Sequence, residues 1–69
     1  MDMRGLVGRN VRKARLALGL TQEQLADLSG FSQQYISDLE RGLRNPTVVS
    51  LWELSLALKS TPTDPIKPD

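Results

Sequence analysis

Apolar residues recur every three or four positions through much of the chain, which is the spacing of helices that bury one face. The first such segment spans residues 6–18, and its apolar face consists of Val7, Val11, Ala14 and Leu18. Gly19 follows, at the position where many helices end on a left-handed residue that glycine adopts without strain. We predict a first helix over residues 6–18.

The next two segments each open on a hydroxyl side chain that can cap a helix. Thr21 stands three residues before Gln24, so each side chain can accept from the other residue's backbone N–H in a capping box. Ser32 precedes the third apolar segment, which extends to about Arg41. These signals predict helices over 21–29 and from Ser32 to about Arg41, joined by a short, glycine-containing turn.

A fourth helix is predicted from about Thr47 to Leu58, and apolar residues occupy more than half of its circumference. One apolar stripe is assigned to the core and consists of Val48, Leu51, Leu54, Ser55 and Leu58. A second stripe lies on another side of the helix and consists of Val49, Trp52 and Leu56. This second stripe packs either against the tail of the chain or against another copy of the protein. We expect a homodimer, because exposed apolar patches on small domains mark interaction surfaces.

Prolines interrupt the end of the chain at Pro62, Pro65 and Pro68. They permit at most a short helical turn beginning near Thr61. No segment alternates apolar and polar residues as a half-buried strand does. The pattern therefore predicts an all-α domain of four helices, with a fifth turn at most. Its parts are a flexible N-terminus over 1–5, the helical domain over 6–60 and a proline-rich tail over 61–69.

The chain has 69 residues and contains neither cysteine nor histidine. Disulfides, thiolate and imidazole metal sites and histidine-based catalysis are therefore excluded. We expect a protein that is not an enzyme and has no cofactor, metal or small-molecule ligand. The apolar runs are too short to cross a bilayer, and no cleavable leader is evident. We expect a cytoplasmic protein with no membrane partner.

Charge is segregated along the chain, although the net charge is only +1. The basic residues of the first segment have no acid among them and are Arg4, Arg9, Arg12, Lys13 and Arg15. Residues 16–40 carry acids and no base. Because phosphate binding responds to the local field, we predict phosphate contact by Arg9, Arg12 and Lys13. An ordinary solvated helix face competes closely with this interpretation.

Two short helices joined by a glycine-containing turn form a helix-turn-helix, whose second helix can lie in the major groove of DNA. The first helix of the pair would present Gln22 and free backbone amides to a phosphate, since helix N-termini favour anions. The second would carry Gln33 and Gln34 into the groove, where glutamine pairs bidentately with adenine. In an arbitrary helical protein these glutamines would be ordinary exposed helix formers, so the interpretation depends on the surrounding motif.

Further side chains of the third helix are assigned to the same surface. The predicted base-reading residues are Gln33, Gln34, Ser37 and Asp38. Asp38 either accepts from cytosine N4 or repels phosphate. Ser32 and Tyr35 are assigned to phosphate contact, and for Tyr35 a role in covering the flank of the helix is an equal alternative.

Residues 7–58 resemble the phage repressor and Cro family, also called the XRE-type helix-turn-helix family. The matching segments are N-V-R-K-A-R at 10–15, G-L-T-Q-E-Q-L-A at 19–26, S-G-F-S at 29–32, Y-I-S-D-L-E-R-G at 35–42 and R-N-P-T at 44–47. The resemblance implies a compact lambda-repressor-like domain that binds double-stranded DNA and regulates transcription. Small members include phage repressors, antitoxins and the controller proteins of restriction-modification systems, which the segment from residue 35 to 46 especially resembles.

The resemblance also implies roles for individual residues. The phosphate-positioning and base-reading positions of the family hold Gln22, Gln33 and Gln34. The loop that grips the DNA backbone holds Arg41, Arg44 and Asn45. Arg15 and Glu40 match an ion pair that joins the first helix to the end of the third. We assign this pair a structural role, since removing one partner of a buried pair costs about 3 to 5 kcal/mol.

The chain departs from the family pattern at its end. Many members have a fifth helix with a D-E-L-L-like sequence, where this chain has T-P-T-D-P-I at 61–66. Dimerisation through a full fifth helix is therefore not expected. We predict a sequence-specific regulator that binds an inverted-repeat operator as a homodimer and is nucleoid-associated when bound. The alternative is an antitoxin-like or coactivator-like protein-interaction module, in which the fourth helix binds the partner and DNA binding is secondary.

Overall fold

The computed structural model describes residues 2–59. Within that range the chain forms four helices and no strand: α1 (Met3–Ala17), α2 (Gln22–Ser29), α3 (Gln33–Glu40) and α4 (Val48–Ala57). The predicted all-α class is confirmed. The turn predicted near Thr61 and the proline-rich tail lie outside the described residues.

Side-chain caps begin the last three helices where the sequence predicts them. Thr21 and Gln24 form the complete capping box: Thr21 Oγ1 accepts from Gln24 N at 3.1 Å, and Gln24 Oε1 accepts from Thr21 N at 2.8 Å. Ser32 Oγ accepts from Tyr35 N at 3.0 Å, and Thr47 caps α4 in the same way. Because these bonds join residues only three positions apart, the sequence alone predicts them.

Helix α1 begins earlier than predicted. The Asp2 side chain accepts from Gly5 N at 3.1 Å, so the helix starts at Met3 and not at Leu6. Residues 2–5 are therefore the cap and first turn of α1, and the helix start predicted at residue 6 is three residues too late. The apolar pattern begins at the first buried residue, whereas the cap lies one turn before it among exposed residues.

The core is assembled from all four helices. Its fully or nearly fully buried apolar residues are Val7, Val11, Leu25, Ala26, Ile36, Leu39, Leu54 and Leu58. Two residues assigned to the core are exposed instead: Leu18, at 42%, and Val48, at 82%. Leu18 lies beyond the last turn of α1. At about 100° per residue, Val48 falls on the outward arc of α4 that also holds Val49, Trp52 and Leu56.

A close crossing of α1 and α3 positions the recognition helix. A Cβ atom at Gly8 would lie 2.5 Å from the carbonyl oxygen of Leu39 and 2.9 Å from that of Glu40. Only glycine therefore permits this approach between the backbones. The crossing brings the C-terminal end of α3 against α1, so that Glu40 reaches Arg15 in the last turn of α1.

Candidate nucleic-acid interface

The turn between α2 and α3 sets these two helices as a helix-turn-helix. Gly30 ends α2 with a φ of 81°, a left-handed conformation that glycine adopts without strain. Ser29 is buried and its hydroxyl donates to the Leu25 carbonyl at 2.7 Å, so it needs no partner outside α2. Ile36 and Leu39 bury one side of α3. The opposite side of α3 is left for contact with a ligand.

Two of the four predicted base-reading residues lie at the exposed start of α3. Gln33 and Gln34 form the first turn of α3, and both are exposed. Ser37 lies one turn further on and is half-buried. Ser32 is exposed but its hydroxyl is already bonded as the cap of α3. An α-helix with exposed amide side chains at its first turn has the form of a major-groove reader.

The Asp38 carboxylate is surrounded by partners from within the protein. Its Oδ1 accepts from Gln34 Nε2 at 2.9 Å and lies 3.9 Å from Arg41 Nη1. Its Oδ2 lies 3.6 Å from Arg44 Nε. The side chain is 18% exposed, against 49% for Arg44. Asp38 is thus the centre of a polar cluster on the outer side of α3, and its direct contact with a base stays a prediction.

Aromatic stacking holds the other side of the same cluster. The Arg44 guanidinium carbon lies 5.3 Å from the centre of the Tyr35 ring, within range of a cation–π contact. The Tyr35 ring stacks on Phe31, with centroids 4.7 Å apart and an interplanar angle of 23°. Tyr35 therefore covers the flank of α3 and also supports Arg44. Asn45 follows Arg44 in the loop and is exposed.

The ion pair between Arg15 and Glu40 is present and bidentate. Arg15 Nε donates to Glu40 Oε2 at 2.7 Å, and Arg15 Nη2 donates to Oε1 at 3.0 Å. The side chains are 10% and 3% exposed, respectively. Hydrogen bonding to Glu40 raises the pKa of Arg15 above its ordinary value; burial opposes this effect and charge attraction adds to it. Arginine is protonated throughout the working pH range, so the guanidinium stays charged.

Two further bonds extend this pair to α2. Arg15 Nη1 donates to the Leu20 carbonyl at 2.8 Å, a partner that the sequence did not indicate. Gln22 Nε2 donates to Glu40 Oε1 at 3.2 Å, so Glu40 positions the side chain predicted to meet a phosphate at the start of α2. The network joins α1, the N-terminus of α2 and the end of α3. It therefore sets the orientation of the helix-turn-helix relative to α1.

Arg9, Arg12 and Lys13 lie on the exposed face of α1, whereas Arg15 is buried. An open cleft of about 320 Å³ is lined by Arg9, Arg12, Lys13, Leu16 and Glu40. The structure therefore brings the predicted α1 contacts beside the C-terminal end of α3. The apolar stripe of Val49, Trp52 and Leu56 belongs to neither group, because it lies on the outward arc of α4.

The described residues contain neither a membrane-spanning helix nor a cluster of acidic side chains placed to bind a metal ion. Between residues 2 and 59, no helix is long and apolar enough to cross a membrane. The same part of the chain holds no group of three or more acidic side chains placed to bind a metal ion.

A sequence model of a helix-turn-helix family matches residues 11–65. The chain belongs to this helix-turn-helix family. The match includes the whole of α2, α3 and α4, and so covers both the interface and the outward arc of α4.

Relatives in this family are regulators and controller proteins. The helix-turn-helix-type transcriptional regulator y4dJ of Sinorhizobium fredii is 57% identical over 93% of this chain and 91% of its own. The controller protein C.AhdI of Aeromonas hydrophila is 39% identical over 90% of this chain and 94% of its own, with a TM-score of 0.86. The controller protein C.Esp1396I, solved as a tetramer with its natural 35 base-pair operator, is 37% identical over 86% and 78%, with a TM-score of 0.81.

These similarities confirm the predicted family, fold and general function. The protein is a DNA-binding transcriptional regulator with an all-α helix-turn-helix domain. The predicted similarity to controller proteins of restriction-modification systems is also confirmed.

Proposed function

We propose that the protein reads a specific double-stranded DNA sequence with the first turn of α3, as a homodimer on an inverted repeat. The observation that carries this proposal is the placement of Gln33 and Gln34, which stand exposed at the start of the second helix of the helix-turn-helix. Each glutamine has an amide that can pair bidentately with adenine. A base contact of this kind contributes about 1 to 3 kcal/mol of discrimination.

Phosphate contacts on either side of α3 would set its depth and register in the groove. Gln22 lies at the N-terminus of α2, where backbone amides favour an anion. Arg41, Arg44 and Asn45 follow α3 and are all exposed. The remaining proposed phosphate contacts are Arg9, Arg12, Lys13, Ser32 and Tyr35. The operator complex of C.Esp1396I supports double-stranded DNA as the ligand of this chain too.

The homodimer is proposed to form through α4. Val48, Val49, Trp52 and Leu56 lie within an arc of about 100° on that helix, and all are more than half exposed. Exposed apolar patches of this kind mark interaction surfaces. A second copy is the partner that fits a DNA-binding domain, because two half-sites about one helical turn apart require twofold symmetry. The tetrameric state of C.Esp1396I supports self-association in this group.

The mechanism that we propose is occupancy of the operator without catalysis. Bound protein would either block RNA polymerase or contact it. The protein would act in the compartment that holds the chromosome. Phosphate contacts would hold the protein on any DNA, and the glutamines would select the site.

Selection from a pool of random duplex DNA tests the proposal directly. We expect enrichment of an inverted repeat whose half-sites are centred about 10 base pairs apart, or a multiple of that spacing. A pool that shows no enrichment, with a protein that is folded and pure, would contradict sequence-specific reading. That outcome would favour the protein-interaction module instead.

Two substitutions in the protein, measured on the selected DNA site, distinguish base reading from phosphate positioning. Gln34→Ala should reduce discrimination at one base pair of each half-site about tenfold, because a bidentate base contact is lost. Arg44→Ala should weaken binding to all sequences alike and lower the salt dependence of binding by about one counterion. Binding measured by fluorescence anisotropy on the selected site and on single-base variants distinguishes the two patterns. Equal loss on every sequence from Gln34→Ala would show that this residue positions the protein and does not read.

Trp52 provides the test of the homodimer. Trp52→Glu should raise the dissociation constant of the dimer about thirtyfold or more, as expected for a buried aromatic anchor. Sedimentation measures the mass, and the emission of Trp52 in the unmodified protein should change with concentration as the interface forms. Leu28→Glu is the matched control, since Leu28 is an exposed apolar residue of α2, at 61% against 52% for Trp52. A strict monomer at high micromolar concentration, both free and on DNA, would contradict the dimer.

A further inference from the structure

We infer that Asp38 determines specificity without touching a base, by orienting Gln34 and by holding Arg41 and Arg44 beside the reading face. This inference rests on the proposed reading of DNA by α3. Three side chains converge on the one carboxylate, at 2.9, 3.9 and 3.6 Å. Gln34 lies in α3, Arg41 is the C-cap of that helix, and Arg44 lies in the loop that follows it.

The hydrogen bond to Gln34 decides which way its amide points. A carboxylate accepts hydrogen bonds and donates none, so only the NH₂ end of Gln34 can face Asp38. The second N–H and the carbonyl oxygen of Gln34 then remain for a ligand. These are the donor and the acceptor that adenine requires at N7 and N6. Without Asp38 the amide can rotate by 180°, and the pattern that it offers to a base is no longer unique.

Asp38 contacts the loop after α3 through its backbone as well as through its side chain. Leu43 N donates to the backbone oxygen of Asp38 at 2.9 Å, and Arg44 Nε faces its side chain. The Tyr35 ring supports Arg44 from the other side. Arg44 is therefore held between a carboxylate and an aromatic ring before DNA binds. This arrangement reduces the conformational entropy that the side chain loses on binding.

The negative charge of Asp38 also acts against unspecific binding. Any phosphate that approaches Arg41 or Arg44 has to compete with a carboxylate already beside them and is repelled by it. On a correct site the contact of Gln34 with its base offsets this loss of binding free energy. On other DNA nothing offsets it, so Asp38 widens the difference between specific and unspecific binding.

The test is Asp38→Asn, which keeps the shape of the side chain and removes its charge. Asparagine presents a donor as well as an acceptor, so it does not fix the amide of Gln34. We expect discrimination at the base pair read by Gln34 to fall about tenfold, while affinity for unrelated duplex DNA rises about threefold. Circular dichroism checks the fold, which should persist because Asp38 is not part of the core.

Asp27→Asn is the matched control, because Asp27 is an exposed aspartate on α2 and the change in net charge is the same. It should leave discrimination unchanged. In the double variant Gln34→Ala with Asp38→Asn, discrimination at that base pair should be no lower than in Gln34→Ala alone, since Asp38 acts through Gln34.

Two outcomes would overturn the inference. Discrimination that survives Asp38→Asn would show that the carboxylate does not orient the reader. A further loss of discrimination from Asp38→Asn in the Gln34→Ala background would show that Asp38 contacts a base itself. Both outcomes require an unmodified protein that discriminates, so they differ from failure of the proposed function, in which the unmodified protein shows no sequence preference.

Discussion

Replacing Glu40 with glutamine should lower the free energy of unfolding by about 3 kcal/mol. The carboxylate is 3% exposed and receives two hydrogen bonds from Arg15 and one from Gln22. Glutamine cannot accept both arginine bonds, because its NH₂ end would face an N–H group and the guanidinium charge would stay buried without a counterion. A domain of this size has only a few kcal/mol of stability, so the variant should be partly unfolded near 37 °C.

Urea unfolding followed by circular dichroism measures this loss. Glu53→Gln is the control, since Glu53 is an exposed glutamate on α4 and its replacement should change stability by less than about 0.5 kcal/mol. If the two variants were equally stable, the network between α1, α2 and α3 would not be a determinant of the fold.

Gly8→Ala should destabilise the domain by about 2 kcal/mol. The new methyl group would lie 2.5 Å from the Leu39 carbonyl oxygen and 2.9 Å from that of Glu40. Both atoms belong to the backbone, so α1 and α3 have to separate, at a cost of about 3 kcal/mol. The better helix propensity of alanine returns about 1 kcal/mol. Separation of these helices should also weaken DNA binding, because it displaces Glu40 from Arg15.

Gly5→Ala is the matched control in the same helix. At Gly5 the nearest atoms to the added methyl group belong to the Asp2 and Arg9 side chains. Displacing the Asp2 carboxylate would weaken the cap of α1 by about 1 kcal/mol, and the better helix propensity of alanine offsets that loss. The net effect of Gly5→Ala on the free energy of unfolding should stay below about 1 kcal/mol. Thermal unfolding of both variants measures the difference, and similar midpoints would contradict a tight crossing at Gly8.

Much of the fold follows from signals that act over three or four residues. The capping box of Thr21 and the cap at Ser32 place the starts of α2 and α3, and Gly30 ends α2 between them. These bonds depend only on neighbours along the chain, so the sequence predicts them without knowledge of packing. The same signals did not predict the start of α1, because its cap precedes the apolar pattern by one turn.

Helix α4 shows that apolar periodicity alone does not identify the buried face of a helix. Apolar residues cover both its buried stripe and its outward arc, so hydrophobicity alone does not tell which side meets the core. Val48 was assigned to the wrong side for this reason. The contact of α4 with α2 and the rest of the core decides the question, and leaves the outward arc exposed.

The sequence by itself determined the helix-turn-helix, its caps and the amide side chains offered at the start of α3. It determined the pairing of Arg15 with Glu40 only through resemblance to a family, since 25 residues separate the two. The tertiary structure alone decided that Gly8 lies against the backbone of α3 and that Arg44 of the loop lies between Asp38 and Tyr35. The physical reason is range: caps are bonds between neighbours in the chain, whereas these contacts exist only after the helices and the loop have packed.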